Sequence, residues 1–582
     1  MTTYTIPKKF NPLQRLSTCP PWLVFGFLFL WQLIPSLQGL TLHDEGFYAV
    51  FYQQIFNDPE SVQFNFMYWF SGIVGAAWFK LFPNAGLLGL RVAGILCTLA
   101  TVILVYKLLK PYFKRGYLYT GIILAVMALN NEPKELHYNN LSALFYVASA
   151  YLIFKGLRDN RYWPFIAAGF LLAFNMFTRI PNLLGIGMTV IIIIHGIQSA
   201  TPWKKIIVQC ALIVASFVLG IAGIITWMKA LGHWEIFLNA SELLSRMGKS
   251  DEGLYNIFTL INMFIQNYVN SIRNFVILFL LLLLASSPGR WSLPAGIRLN
   301  LSKWMPVIRY VLLAAFAAII IGRFFSNFLQ MYIQSGFCVI SAVVILFARR
   351  DPNIITLTLL GLFIMVVYPL GSNDGILTAG MFSFWLIFPL CVAFWSEPNS
   401  AGMSLRLSEK DGSSNIVNLR IKEERMHLIK KWGTLFFILM CCVNYFYYPH
   451  FDKKNRIKLT HTVDHKYLRG IHTSEGRATA IQQTLEALEK VVKKAWPWLY
   501  ESSIFKEELQ KAEKEKKQLP VVLTQKMITM GDGGYWPSPL VHFNSETWPV
   551  NEKRNEALND FLQRNKYNTA WENDYFKISI PQ

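Results

Sequence analysis

The stretch "LHDEGFYAVFYQQIF", residues 42–56, places two adjacent carboxylates, Asp44 and Glu45, just after the apolar run "WLVFGFLFLWQLIPSLQGL". Carboxylates at such a boundary can cap a helix, because a helix N-terminus favours negative charge. A carboxylate there can also take the proton from a hydroxyl or amine that attacks an electrophile. The two roles coexist, since a cap holds its carboxylate still. Cations also stand at the ends of apolar runs: Arg91, Arg179 in "FTRIPNL" and Arg323 in "IIGRFFSNF". Such an arginine either snorkels to lipid head groups or meets an anionic substrate. Arg179 is the strongest candidate to meet an anion, because its hairpin is too short to serve only as a surface loop. The polar segment "NNEPKELHYNN" (130–140) offers Glu132, Lys134, Glu135 and His137, and "YPLGSNDGI" (368–376) offers Asn373 and Asp374. Each is either a polar turn or part of a substrate cavity. A divalent metal shared by Asp44, His137 and a glutamate is conceivable, although no metal-site spacing supports it. "GDGG" at 531–534 has no strand before it and no helix after it, so it reads as a turn rather than a phosphate loop.

These residues need a membrane to position them. The 582-residue chain is 53% hydrophobic and only 15% charged, against roughly 25% charged in soluble domains. Its apolar runs are long enough to cross a bilayer. We expect about thirteen spans, near 22–40, 87–109, 117–130, 140–157, 162–177, 180–198, 205–230, 273–286, 306–322, 328–347, 353–369, 376–396 and 432–448. The first follows Lys8, Lys9 and Arg15 and lacks a small-residue cleavage site, so it reads as an uncleaved span. The seven cysteines have no metal-site spacing and read as small apolar packing residues.

The net charge of +20 does not imply nucleic acid, because the basic residues gather in alternate loops. With the N-terminus inside, the inner loops hold Lys107, Lys110, Lys114 and Arg115, then Lys155, Arg158 and Arg161, then Lys204 and Lys205. Arg290, Arg298, Lys303, Arg349 and Arg350 follow, and then the basic loop 397–431. The acid pair, 130–140, Arg179 and 368–376 then share the outer side. Residues 57–86 would invert every later loop if they crossed, so they are expected to lie on the outer interface. An odd span count puts the tail outside as well.

The expected architecture is therefore a polytopic α-helical membrane protein with a small soluble α/β C-terminal domain. It has a transmembrane domain at 1–448, whose first outer loop is 41–86, and an extracytoplasmic α/β domain at 449–582. In that tail, "EGRATAIQQTLEALEKVVKK" sets Ile481, Leu485, Leu488 and Val492 on one helical face, with Ser474 as its N-cap. "LPVVLTQ" and "YFKISI" read as strands, and "NEKRNEALNDFLQRN" as a second helix.

The acid pair, the aromatic helix "GFYAVFYQQIF" and the next span "LLGLRVAGILCTLATVILVYKLL" together resemble the GT-C superfamily of membrane glycosyltransferases. The nearest branch is that of protein O-mannosyltransferases and lipid A aminoarabinose transferases, and the local resemblance covers about residues 20–200. It implies a polyprenyl-phosphate sugar donor and an acidic residue of the first outer loop that assists the acceptor. Carried over, Asp44 becomes the general base and Glu45 an acceptor or geometry contact. Arg179, Arg323 and Arg91 become candidates for the donor phosphate. The chain departs from the family at "FNFMYWFSG", where relatives often carry a charged residue followed by prolines.

The expected function is inverting transfer of a sugar from a polyprenyl-phosphate donor to a lipid, glycan or protein acceptor. It would occur at the periplasmic face of a bacterial inner membrane. Two rivals remain at this stage. One is a glycolipid transporter or flippase, which internal repeats and paired broken helices would favour, and none is visible. The other is a non-catalytic scaffold or sensor with an envelope-binding tail, which would leave Asp44 as a cap only.

Overall fold

A computed structural model describes residues 16–40, 44–128, 134–249, 257–285, 305–324, 327–348, 351–372, 375–377, 380–397, 402–408, 414–420, 456–465, 467–495 and 540–543. It also describes parts of 433–445 and 559–581. Apolar stretches cannot leave backbone groups unpaired in lipid, so they form helices that satisfy those groups internally. The N-terminal half comprises α1 (Pro21–Ser36), α2 (Asp44–Gln54), a 3-10 segment (Glu60–Tyr68), α3 (Trp69–Leu81), α4 (Gly86–Leu109), α5 (Arg115–Ala128), α6 (Tyr138–Asp159) and α7 (Trp163–Thr178). A second 3-10 segment (Ile180–Met188) leads into α8 (Thr189–Gln198), α9 (Trp203–Ala230) and α10 (Trp234–Lys249). The chain continues through α11 (Ile257–Ala285), α12 (Met305–Phe324), α13 (Asn327–Ala348), α14 (Pro352–Val367) and α15 (Ile387–Ser396).

Among the described residues, 6 helices are long and apolar enough to cross a membrane, and shorter apolar helices include α1, α5, α7, α14 and α15. α3 has 13 residues, about 20 Å of helix, which falls short of a hydrocarbon core of about 30 Å.

Two spans differ from expectation. The one expected at 273–286 belongs to a helix that begins at Ile257, so the loop expected at 232–272 holds α10 and the first half of α11. Polar residues hide that half from a hydropathy reading: Asn267 and Ser271 are buried between helices. Tyr332 donates to the Asn267 side chain at 3.1 Å and Tyr268 to the Met365 carbonyl at 2.9 Å. The span expected at 376–396 is helical only from Ile387, after short 3-10 turns at Gly375–Leu377 and Gly380–Phe382. Gly375, just before it, takes a left-handed φ of 55°, which turns the chain before the helix begins.

The loop expected at 397–431 contains an antiparallel hairpin of β1 (Gly402–Ser408) and β2 (Ser414–Arg420). In the tail, β3 (His461–Thr462) pairs with β4 (His472–Thr473), and α16 (Glu475–Ala495) follows the expected amphipathic pattern. The last sheet is antiparallel in the order β5 (Leu540–Phe543), β7 (Phe576–Pro581), β6 (Tyr567–Glu572), with "YFKISI" supplying β7. "LPVVLTQ", "GDGG" and most of "NEKRNEALNDFLQRN" lie outside the described residues.

The tail is tied to the helix ends around the acid pair. Gly39 N–H donates to the His472 carbonyl, and His472 N–H to the Leu37 carbonyl, both at 2.8 Å. Leu87 N–H donates to the Tyr467 carbonyl at 2.9 Å, and Arg477 Nη1 donates to the Leu40 carbonyl at 2.5 Å. The segment after α1, the first turn of α4 and residues 467–477 therefore share one end of the bundle.

Candidate active site

The centre of this end is an ion pair. Arg91, one turn into α4, donates from Nε to Glu45 Oε1 at 2.6 Å and from Nη2 to Oε2 at 2.8 Å. Its Nη1 donates to the Ser36 carbonyl at 2.6 Å, and Nη2 also reaches the Gly39 carbonyl at 2.7 Å. Both side chains are buried, at 1% and 0% exposure. The planar guanidinium thus ties three pieces together: the C-terminal end of α1, the chain just beyond it, and the first turn of α2. Asp44 is the residue that opens α2, one position before Glu45. Its side chain lies outside what the structure describes.

α2 is held from its other side by aromatics. Tyr52 donates to the Leu136 carbonyl at 2.9 Å, and burial pushes its phenol well above the ordinary range. Tyr48 stands 5.6 Å from His137 and 5.8 Å from Tyr138, ring to ring. Tyr138 stacks on Tyr68 at 4.1 Å, and Phe382 meets His137 at 5.3 Å. Aromatic faces of this kind are also what the C–H faces of a sugar pack against. None of Tyr48, Tyr68, Tyr138 or Phe382 was singled out in the sequence. Tyr48 and Tyr52 were findable as an i, i+4 pair on α2.

The segment 134–137 runs across the start of α4. Leu136 N–H donates to the Leu90 carbonyl at 2.9 Å. A side chain at Gly94 would strike the backbone of Lys134 and Glu135, so the close approach requires glycine. Lys134, Glu135 and His137 are all buried, not solvated. His137 is the N-cap of α6, bonded to Asn140 in a reciprocal capping box. Asn139 Nδ2 lies 3.4 Å from His137 Nε2, and His137 Nδ1 faces the Glu135 carbonyl at 3.2 Å. Glu132, Asn373 and Asp374 lie outside the described residues.

Arg179 ends α7 in an extended conformation that turns the chain into the Ile180–Met188 segment. Its Nη1 donates to the Tyr368 carbonyl at 2.5 Å and Nη2 to the Leu370 carbonyl at 3.0 Å. These carbonyls stand at the C-terminal end of α14, where the helix dipole favours a cation. The guanidinium also lies 5.6 Å from the Tyr368 ring centre. No carboxylate among the described residues pairs with it. The Tyr368 hydroxyl in turn donates to Asn139, at 2.8 Å to the carbonyl and 3.0 Å to the side chain. Arg179 is thereby linked to the 134–140 segment and to α2. Arg323 is in the last turn of α12, and its side chain lies outside the described set.

The structure therefore brings together Glu45, Arg91, Lys134, Glu135, His137 and Arg179 at one end of the bundle, with the start of α2 among them. Arg91 differs from its expected use. Its nitrogens are taken by Glu45 and two carbonyls, so here it acts as a clamp. Among the described residues, no three His, Cys, Asp or Glu side chains cluster closely enough to hold a metal ion. The Asp44 side chain and Glu132 fall outside that statement.

Residues 69–221, from α3 into α9, match the family described as dolichyl-phosphate-mannose-protein mannosyltransferase. That family belongs to the GT-C superfamily, so the resemblance drawn from the sequence holds over that segment. The match begins after the acid pair and takes in Arg91, the 134–140 segment and Arg179. No curated protein matches the chain. The family match and the apolar helices support a membrane glycosyltransferase of the GT-C type.

Proposed function

We propose that this chain transfers one sugar from a polyprenyl-phosphate donor to an acceptor, with inversion, at the face of the membrane where α2 begins. The observation that carries the reading is the Glu45–Arg91 clamp. Both Glu45 oxygens are occupied and buried, so of the acid pair Asp44 is the residue left for chemistry. Glu45 is the positioning residue. It fixes the first turn of α2, and so the backbone of Asp44, relative to α1 and α4.

In the proposed step the acceptor oxygen or nitrogen attacks the anomeric carbon while Asp44 accepts its proton. The bond from the anomeric carbon to the phosphate oxygen breaks, and the polyprenyl phosphate leaves carrying the bonding electrons. A single in-line displacement inverts the anomeric centre. The leaving phosphate gains negative charge, so it needs a fixed cation more than a proton. Arg179 supplies one, because its carbonyl partners hold it in place without cancelling its charge. Arg323 and the buried Lys134 are further cations for the same task. The aromatic wall of Tyr48, Tyr68, Tyr138 and Phe382 would pack against the sugar. The matched family's description names a dolichyl-phosphate sugar, which favours the polyprenyl-phosphate class of donor. The alternation of basic loops supports an outer position for this face and for the tail, as in a bacterial periplasm.

The test uses purified full-length protein with a mixed set of lipid, glycan and peptide acceptors. It is offered either a polyprenyl-phosphate sugar or the matching nucleotide sugar, and the anomeric configuration of any product is read by NMR. Transfer from the lipid donor alone, with inversion, is expected. Transfer from the nucleotide sugar, or retention, would overturn the reading.

A further inference from the structure

A further buried cation lies close to the segment that Arg91 grips. Arg456 follows the helical stretch within 433–445 and is 7% exposed. Among the described residues, its enclosed Nε and Nη1 have no hydrogen-bond partner and no carboxylate faces it. The guanidinium lies 4.5 Å from the Tyr445 ring centre, and Tyr445 stacks against Trp31 of α1 at 4.3 Å. The Arg456 carbonyl accepts from Gln38 Nε2 at 3.3 Å, so the residue sits where α1 ends. The next residue, Ile457, is a large apolar side chain 79% exposed, and Lys458 beyond it is exposed as well. Burial lowers the Arg456 pKa to about 10, which leaves it charged at neutral pH.

A buried guanidinium with two unmet donors is costly, and an anion is what compensates it. The stacked tryptophan and tyrosine mark the depth of lipid head groups. An exposed isoleucine beside the cation suits acyl chains rather than water. We propose that Arg456 is the centre of a phosphate-binding site for the head group of a membrane lipid, with Tyr445 as its aromatic wall and Ile457 against the lipid chains. The site is separate from the sugar-transfer reading and does not depend on it. Through Gln38 its occupant would steady the 37–40 segment, whose Gly39 carbonyl Arg91 holds.

The experiment uses full-length protein stripped of phospholipid in an alkyl maltoside. Short-chain phosphatidylglycerol, inorganic phosphate and a phosphate-free glycolipid of equal chain length are titrated in turn, and the melting midpoint is read. Wild type should be stabilised by phosphatidylglycerol, several-fold less by inorganic phosphate at the same concentration, and not by the glycolipid. Arg456→Gln should lose the phosphatidylglycerol shift, and Arg456→Lys should keep part of it. An equal shift in Arg456→Gln, or an equal shift from the glycolipid, would overturn the site. An equal shift from inorganic phosphate would overturn the lipid as its source. Native mass spectrometry gives a readout that does not need the glutamine variant to fold. Wild type should retain one phospholipid more tightly than Arg456→Lys does, and equal retention would contradict the proposal.

Discussion

At Glu45 and Arg91, removing one partner differs sharply from removing both. Glu45→Gln leaves a guanidinium buried without its counter-charge, which should cost about 3–5 kcal/mol. Denaturant melts of the purified variant would measure this as a lowered midpoint. Glu45→Leu with Arg91→Met should be clearly more stable than either single change, because two apolar side chains need no partner. The double variant should still transfer sugar poorly, since the bridge between the first turn of α2 and the Ser36 and Gly39 carbonyls is then gone. Transfer at the wild-type rate by the double variant would contradict the positioning role of the clamp. The sequence offered both residues but not their pairing, because 46 positions separate them and each has its own local explanation at a span end.

Among the elements, α2 and α3 pack so closely that one hydrogen atom is the only side chain that fits between them. A methyl group at Gly75 would collide with the Tyr52 ring, which anchors α2 to Leu136. Gly75→Ala should therefore destabilise by about 1–3 kcal/mol and lower transfer by tilting the start of α2. Parallel thermal melts and turnover assays would show both effects. The 3-10 segment Glu60–Tyr68 and α3 are joined to α10 by His233. Trp69 donates to its Nδ1 at 3.1 Å, which requires that nitrogen to be unprotonated. Burial holds the His233 pKa below its ordinary value, although a bond to the Ile55 backbone opposes this. Its contribution to stability is therefore complete above the unfolded value of about 6.5 and declines as pH falls below that value toward the depressed folded one. Hydrogen-exchange protection at 60–70 and 234–242, corrected for the intrinsic pH dependence of exchange, should fall on acidification in wild type but not in His233→Gln. These contacts were not readable beforehand. Residues 57–86 are expected at the interface from charge alternation alone, whereas the partner helix and the histidine between them lie far along the chain.

Across the whole molecule, the helices show how far periodicity and hydropathy carry. α4, α6 and α9 are continuous apolar runs, and the structure places them within a few residues of the expected limits. α11 was foreshortened because its buried Asn267 and Ser271 satisfy each other and neighbouring helices, which hydropathy reads as loop. The same limit applies to the site. Asp44, Arg179 and the 130–140 segment could be named from their places at span ends, but the clamp and the aromatic wall needed the tertiary arrangement. The tail was expected as a separate soluble unit, and its first part is fastened to the helix ends beside the acid pair. Arg477→Ala frees the Leu40 carbonyl, four residues before Asp44, and should reduce transfer more than it reduces stability. Equal losses in both would make that contact merely structural.

The central claim concerns Asp44 itself. Asparagine keeps the size and hydrogen-bonding side chain of Asp44 in the first turn of α2 and removes the base, so Asp44→Asn separates the two roles that the opening acid pair could serve. The measurement is the single-turnover rate of sugar transfer from a polyprenyl-phosphate donor by purified wild type and Asp44→Asn, with melting midpoints as the folding control. A rate about 10²–10⁴-fold lower in Asp44→Asn at an unchanged melting midpoint is predicted. Transfer by Asp44→Asn at the wild-type rate would contradict the account.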